Sequence, residues 1–285
     1  MNSMATAKQD PNLLIYSAPE VTRYYAALDY LTPCERLLFE TYLRRGMAIL
    51  DLGVGGGRTA PFLASLAGRY VGADYAPEMI AACRKKFPQL EFETANAADL
   101  SRFASSGFDA VVMAFNALDY AVPDECRLRA LQEIHRVLKP EGILIFSSHN
   151  PRSIFVRPSW NPKRVRDLAE RIAGGDSVLH RPVLWSLAGA RVSIAVFQAV
   201  ARSLTRAVRR LPTRAFWRGQ GYLTDPAHGG LKTHVAVPER VANELEGFCF
   251  RLLHVLGDDY PRVSRRYVTD WYYYAFSKTQ ATGEK

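Results

Sequence analysis

The chain has little of what would tie a protein to a metal, an oxidising compartment or a bilayer. Its four cysteines, Cys34, Cys83, Cys126 and Cys249, lie far apart in 285 residues. None forms a C-x-x-C pair or a zinc spacing, so free thiols in a reducing compartment are expected and no metal site. The N-terminus has no apolar run of the signal-peptide kind, so no secretory leader is expected. No run of 18 apolar residues occurs, so no membrane span is expected and the location read from the sequence is cytoplasmic. No internal repeat is present. Acidic residues are scarce in one region only. Residues 151–218 hold 14 Lys/Arg against Asp167, Glu170 and Asp176, a balance of +11, while the rest of the chain is at −2. The formal charge of +9 therefore belongs to one segment. Apolar content of 48% and charged content of 23% are those of a globular chain. The length suits one core domain with an insertion better than two full domains.

What is present is a glycine-rich turn in a telling place. The apolar run Met47-Ala48-Ile49-Leu50 leads into Asp51-Leu52-Gly53-Val54-Gly55-Gly56-Gly57, and the helix-like stretch Thr59–Ala67 follows. Strand, glycine turn and helix form a cradle for a nucleotide-type cofactor. Glycine lets the backbone approach a ligand, and N–H groups at the helix start face it. The dinucleotide fingerprint is not met, because Arg58 stands where its last glycine would be. Acids decide the sign of the ligand. Asp51 precedes the turn, Asp74 ends the run Tyr70-Val71-Gly72-Ala73, and Asp99 follows Leu90–Thr94. An acid at the end of the second strand can hold two ribose hydroxyls. Three carboxylates along one groove repel a pyrophosphate and favour a cofactor with an ammonium and a sulfonium.

These motifs, in this order over residues 47–148, resemble the core of the class I S-adenosylmethionine-dependent methyltransferases. Ile49–Gly57 is similar to that family's first motif. Val71-Gly72-Ala73-Asp74 is similar to its second, with Pro77-Glu78-Met79 opening the next helix. Ala98-Asp99 is read as the adenine-contacting position, Phe108–Val112 as the fourth strand, and Glu133–Gly142 as the helix and turn before the fifth. The resemblance implies an α/β fold: a doubly wound, seven-stranded, mostly parallel Rossmann-like sheet with a helical insertion before the last two strands. It also implies S-adenosyl-L-methionine as cofactor. Asp51, Gly53, Gly55 and Gly57 would wrap its methionine portion, and Asp74, Tyr75 and Met79 would hold its ribose side. Ala98, Asp99 and the Leu100 N–H would meet the adenine, while Phe115 and Asn116 would approach the methionine end. Tyr16 would close over the donor.

The implied organisation has N-terminal helices over 1–45, a cofactor-binding core over 46–150, a basic helical insertion or lid over 151–235, and the end of the core sheet over 236–285. Residues 1–12 read as disordered. Ser17-Ala18-Pro19-Glu20 and Thr32-Pro33-Cys34-Glu35 read as capping boxes opening helices near 18–30 and 33–45. In the insertion, Gly174-Gly175 marks an irregular connection and Val183–Leu211 reads as a helix. On it Phe197, Val200, Leu204, Val208 and Leu211 share one face, opposite Arg191, Arg202, Arg206, Arg209 and Arg210. The reading adopted is a lid whose apolar face covers the active site and whose arginines meet water. A peripheral contact with an anionic membrane is the competing reading. Gly219–Gly230 reads as a glycine-rich connection. Phe250–Leu256 and Trp271–Ser277 read as a closing hairpin whose loop lies at the active-site rim.

Substrate candidates lie at the carboxyl ends of strands: Asp119, Tyr120 and Asn150, then Tyr222, His228, His234 and Tyr260 from the insertion and last loop. His149 is the candidate base for a hydroxyl acceptor, against the alternative that it only bonds backbone at the strand end. His228 and His234 are the next candidates for that role, and as a pair spaced by six they make no metal site. The stretch Phe115-Asn116-Ala117-Leu118-Asp119-Tyr120 lacks the Asn/Asp-Pro-Pro-aromatic pattern of base-amine methyltransferases, so DNA is not expected as acceptor. The expectation is methylation of an oxygen or nitrogen of a small molecule, such as a specialised metabolite or a glycosylated or lipid-linked acceptor. The competing class is a non-catalytic module of the same fold on RNA or membrane.

Overall fold

The computed structural model describes residues 11–173, 180–225 and 230–279. Short apolar runs make the strands: β1 (Ala48–Leu52), β2 (Arg69–Asp74), β3 (Glu91–Thr94), β4 (Phe108–Met113), β5 (Leu138–His149), β8 (Phe250–Gly257) and β9 (Trp271–Lys278). They form one sheet in the order β3-β2-β1-β4-β5-β9-β8. Only β9 runs against its neighbours. The seven-stranded, mostly parallel sheet expected from the resemblance is thus present.

Both faces of the central strands β1 and β4 are buried, which is why those strands are largely apolar. Alternate residues separate the faces. Leu50, Leu52, Val111, Met113, Leu144 and Phe146 pack with Leu131 and Ile134 of α6 (Asp124–Val137) and with Val241 and Leu245 of α10 (Pro238–Glu246). Ile49, Ala110, Val112 and Ile145 pack with Leu38 and Phe39 of α3 (Pro33–Tyr42), Leu63 of α4 (Ala60–Leu66) and Ile80 of α5 (Pro77–Lys86). The strand order reverses between β1 and β4, and a crevice opens there at the strand carboxyl ends.

Thr32 forms the expected capping box. Its hydroxyl accepts from Glu35 N at 3.2 Å, and Thr32 N donates to the Glu35 carboxylate at 2.8 Å. Ser17 does not. The next helix, α2 (Pro19–Ala26), is capped by Ala18 without a side-chain bond. Residues 11 and 12, expected to lack structure, open α1 (Pro11–Tyr16). The remaining residues of that expectation, 1–10, and Gly174-Gly175 lie outside the described residues.

The insertion differs most from expectation. It holds α7 (Pro162–Ala173), α8 (His180–Arg210), α9 (Arg214–Arg218) and an antiparallel hairpin of β6 (Gln220–Asp225) and β7 (Leu231–Ala236). The first strand of the hairpin occupies half of what read as a glycine-rich connection. The helix α8 is turned the other way from a lid. Its arginine side meets the protein: Arg206 pairs with Asp270, and Arg210 donates to Asn150 O and Ser153 O at 2.9 and 2.6 Å. The apolar stripe Phe197, Val200, Leu204, Val208 and Leu211 is exposed. Within Arg181–Arg210, an 18-residue window reaches a mean hydropathy of 1.6, so by length and composition this helix could cross a membrane. The sequence reading missed it because Arg191 interrupts the apolar run.

Candidate active site

The site begins at the turn after β1. Gly53 N and Val54 N both donate to Ala73 O, at 2.7 and 3.0 Å, folding the turn over the end of β2. A Cβ on Gly53, whose φ is +75°, would stand 2.6 Å from Ala117 Cβ. A Cβ on Gly56 would stand 2.3 Å from Ala26 N, because α2 lies directly on the turn. Asp74 ties the turn to α5: one oxygen accepts from Gly55 N and the other from Ala76 N, both at 2.9 Å. Burial pushes its pKa up against these donors. Asp51 is buried beneath the turn. Its Oδ2 accepts from Thr59 Oγ1 at 2.7 Å and Tyr70 OH at 3.0 Å, and its Oδ1 is buried with no partner. Burial raises its pKa to about 6, opposed by those two hydroxyls.

A cavity opens at the switch point. The turn contributes Gly53, Val54, Gly55 and Gly56, with Thr59 behind them. Next come Asp74, Tyr75 and Met79 from the end of β2 and the start of α5. The loop after β3 supplies Ala95, Asn96 and Ala97, the end of β4 supplies Phe115, and the N-terminal helices supply Tyr16 and Tyr25. Aromatic rings surround it. Tyr16 lies 6.0, 6.2 and 5.7 Å from Tyr25, Tyr75 and Tyr120. Phe115 and Asn116 both have left-handed φ, +51° and +60°. Such conformations are costly for a phenylalanine and concentrate at functional sites. The Arg58 guanidinium sits 3.8 Å over the Phe115 ring and is paired with the buried Glu35 at 2.5 Å.

Beside the cavity is a buried polar cluster. Asp119 is fully buried. It accepts from His149 N at 2.8 Å, His149 Nδ1 at 2.9 Å and Ser148 Oγ at 2.9 Å. His234 Nδ1 and Arg127 approach it at 3.8 and 3.6 Å. Burial raises the Asp119 pKa, but the His149 bond, the nearby His234 and the Arg127 charge outweigh it and hold the group well below the usual carboxylate range. Arg127 is itself buried and forks onto Glu244. The far nitrogen of His149, Nε2, meets Asn116 Nδ2 at 3.1 Å. The His149 ring lies 6.0 Å from Tyr120, which lines the cavity, and 5.9 Å from Trp271.

Tyr16, Gly53, Gly55, Asp74, Tyr75, Met79, Phe115 and Tyr120 line the cavity as expected. Others do not. Ala98 and Asp99 face a separate shallow surface with Glu133 and Arg136, and the exposed Asp99 accepts from Ser101 N. The Leu100 N–H is used by Glu133 at 2.8 Å. Asn96, three residues earlier, takes the place in the cavity that the sequence reading gave to Asp99. Gly57 packs on α5, where a Cβ would meet Phe87 and Cys83. Asn116 is buried beside Ser147 and His149, not in the cavity wall. Asp119 is beneath His149 and out of an acceptor's reach. Asn150 is buried, donating to Arg266 O and Thr269 O, because it anchors the loop before β9. Tyr222 faces His234 across the hairpin and donates to Asp124. Tyr260 packs against the core below the same loop. His228 lies outside the described residues. Asn96, Arg127 and Trp271 went unnoticed in the sequence; only Asn96, in a loop after a strand, carried a positional signal. Among the described residues no group of three or more His, Cys, Asp or Glu is placed to hold a metal ion.

Residues 49–142 match the family described as "Methyltransferase domain". They form a class I S-adenosylmethionine-dependent methyltransferase domain. The chain is 38% identical over 95 residues to a demethylmenaquinone methyltransferase of Chlorobaculum parvum, covering 33% of this chain and 37% of that one. It thus spans little more than a third of that curated relative. It is 29% identical over 193 residues to a ubiquinone biosynthesis O-methyltransferase of Cereibacter sphaeroides, covering 56% of this chain and 76% of that one. A solved S-adenosylmethionine-dependent methyltransferase of Methanosarcina mazei superposes with a TM-score of 0.55 at 19% identity, covering 89% of this chain and all of that one. The residues of the methyltransferase domain fit S-adenosylmethionine. Gly55 lines the cavity and has only Tyr25 Cδ1 near it, 3.8 Å from where a Cβ would stand, Asp74 faces the cavity, and Asp51 offers an unpartnered buried oxygen behind Thr59.

Proposed function

We propose that this protein transfers a methyl group from S-adenosylmethionine to an oxygen or nitrogen of a small, planar, largely apolar molecule. The observation that carries the reading is the Asp119–His149 pair set beside an aromatic-walled cavity that begins at the glycine turn. The turn backbone and the charge of Asp51 suit the methionine end of the donor, whose ammonium and sulfonium are cationic. Asp74 keeps lone pairs for two ribose hydroxyls. Asn96 accepts from Ala98 N through Oδ1, at 2.9 Å, which leaves its amide hydrogens for an adenine ring nitrogen. In this assignment residues 46–150 bind the donor, the helices within 11–45 cover it, and residues 236–279 complete the sheet.

When bound, the donor supplies a methyl carbon on a sulfonium, already a good leaving group. The residues then have two tasks. Phe115, Tyr120 and Trp271 orient a flat acceptor, since aligned reactants account for much of the rate. His149 takes the proton. Asp119 accepts from Nδ1–H, which fixes the tautomer whose Nε2 is unprotonated and accepts from Asn116 Nδ2. His149 Nε2, released from Asn116, would accept the proton of an acceptor hydroxyl, whose oxygen would then be placed to receive the methyl group that the donor would supply, with the thioether product as leaving group. The relatives named as a demethylmenaquinone methyltransferase and a ubiquinone biosynthesis O-methyltransferase support a small-molecule acceptor, the second of them with methylation on oxygen. The test is release of S-adenosylhomocysteine from the donor with a panel of phenols and aromatic amines. Turnover with a phenol, lost on His149→Ala, is expected. Release with none of them would refute the reading.

A further inference from the structure

We infer that the outer face of α8 docks on an anionic lipid surface, with the helix lying in the membrane plane. Phe197, Leu204 and Val208 are 73%, 64% and 74% exposed, and Val200 and Leu211 continue their row. Trp185, 79% exposed, stands near the other end of the same helix, and Trp217 follows on α9. Soluble surfaces seldom leave so continuous an apolar row in water. Charge says what covers it. Arg191, Arg202 and Arg209 are exposed and recur at 11 and 7 residues, which places them on one line along the side of the helix away from the row. An apolar face backed by a cationic one is the pattern of an interfacial helix: the strip enters the acyl boundary and the long arginine side chains reach for the headgroup phosphates. The surrounding segment, 151–218, is at +11 while the rest of the chain is at −2, so an anionic bilayer attracts this side of the molecule alone.

The length of α8 also allows a crossing, but its contacts oppose one. The buried Ala195 and Ala199 of α8 and Val165 and Ala169 of α7 lie where the two helices meet. The other residues of α7 include exposed Lys163, Arg164, Arg166, Asp167, Glu170 and Arg171, which cannot enter hydrocarbon beside it. Arg206 and Arg210 bind the C-terminal half to Asp270, Asn150 and Ser153. The inward face is thus committed to the protein and the outward face is left for lipid.

Sedimentation of the full chain with phosphatidylcholine vesicles, with and without phosphatidylglycerol, tests this. Binding only to the anionic vesicles is expected, falling about tenfold or more from low to high salt as screening shortens the reach of the arginines. Two variants should each abolish it without changing the far-ultraviolet circular dichroism: Phe197→Ser with Leu204→Ser and Val208→Ser, and Arg191→Gln with Arg202→Gln and Arg209→Gln. All six side chains are exposed, so the fold does not depend on them. Absence of binding to anionic vesicles overturns the proposal, as does equal binding to neutral ones. A dimer in analytical ultracentrifugation, lost in the serine variant and unaccompanied by vesicle binding, would assign the face to a second copy of the chain and also overturn it. Binding that high salt cannot reverse would contradict the in-plane placement.

Discussion

At the scale of single residues, three carboxylates do different work. Asp74 holds two backbone N–H groups and faces the cavity. Asp74→Ala should weaken S-adenosylhomocysteine binding by about 1.5–3 kcal/mol, the worth of a charged hydrogen bond, as read by calorimetry. Unchanged affinity would remove Asp74 from the ribose. Asp51 responds to pH. Its folded-state pKa of about 6 lies above that of an exposed aspartate, so between those values the folded ligand-free chain holds a proton the unfolded chain has lost. Stability from this group therefore falls as pH rises from about 4 to about 6 and then levels. A cationic ligand favours the ionised carboxylate, so affinity for the donor product should rise over the same range, by up to about tenfold per pH unit. Asp51→Asn should flatten that rise, and a flat wild-type profile would contradict the pairing. Asp119 acts through His149. His149→Ala should lower turnover of a hydroxyl acceptor about 10²–10⁴-fold with product affinity kept. Asp119→Asn should lower turnover and change its pH profile, because the Nδ1 hydrogen bond changes character. Asp51 and Asp74 were legible in the sequence because a strand end fixes where they point. Asp99 was misplaced by three residues because a loop after a short strand gives no such register, and the Asp119–His149 pairing was not legible because it joins residues 30 apart in sequence.

At the scale of elements, the helices that close the cavity are held by contacts invisible in any local pattern. The capping box of α3 was legible from Thr32 and Glu35. That Glu35 also pairs with Arg58 was not, since Arg58 belongs to the turn after β1. Both side chains are almost fully buried, so Glu35→Gln should leave an uncompensated guanidinium and cost about 3–5 kcal/mol in urea unfolding. Thr32→Ala, which removes only the cap, should cost about 1 kcal/mol. Equal losses would mean that the ion pair contributes nothing beyond the cap. The helix α8 makes the reverse point. Its amphipathic pattern was plain, but pattern alone does not say which face meets the protein. The small residues Ala195 and Ala199 settle that, because they allow α7 to approach closely, and Asp270 and the Asn150 carbonyl recruit the arginines. The β6–β7 hairpin escaped notice because its glycines read as a loop. It nevertheless carries His234 to within 3.8 Å of Asp119.

At the scale of the whole molecule, the order β3-β2-β1-β4-β5-β9-β8 places the cavity at the carboxyl ends of strands, beside the reversal between β1 and β4. That architecture was the most legible feature of the chain, since buried parallel strands alternating with helices leave few other arrangements. The acceptor was the least legible, because its walls come from residues as distant as Tyr16, Phe115 and Trp271. The account stands or falls on whether this crevice binds the donor. Isothermal titration calorimetry with S-adenosylhomocysteine tests that most directly. One site of near-micromolar affinity is predicted, on the order of −8 kcal/mol. No heat and no thermal stabilisation at millimolar ligand, with the fold intact by circular dichroism, would contradict it.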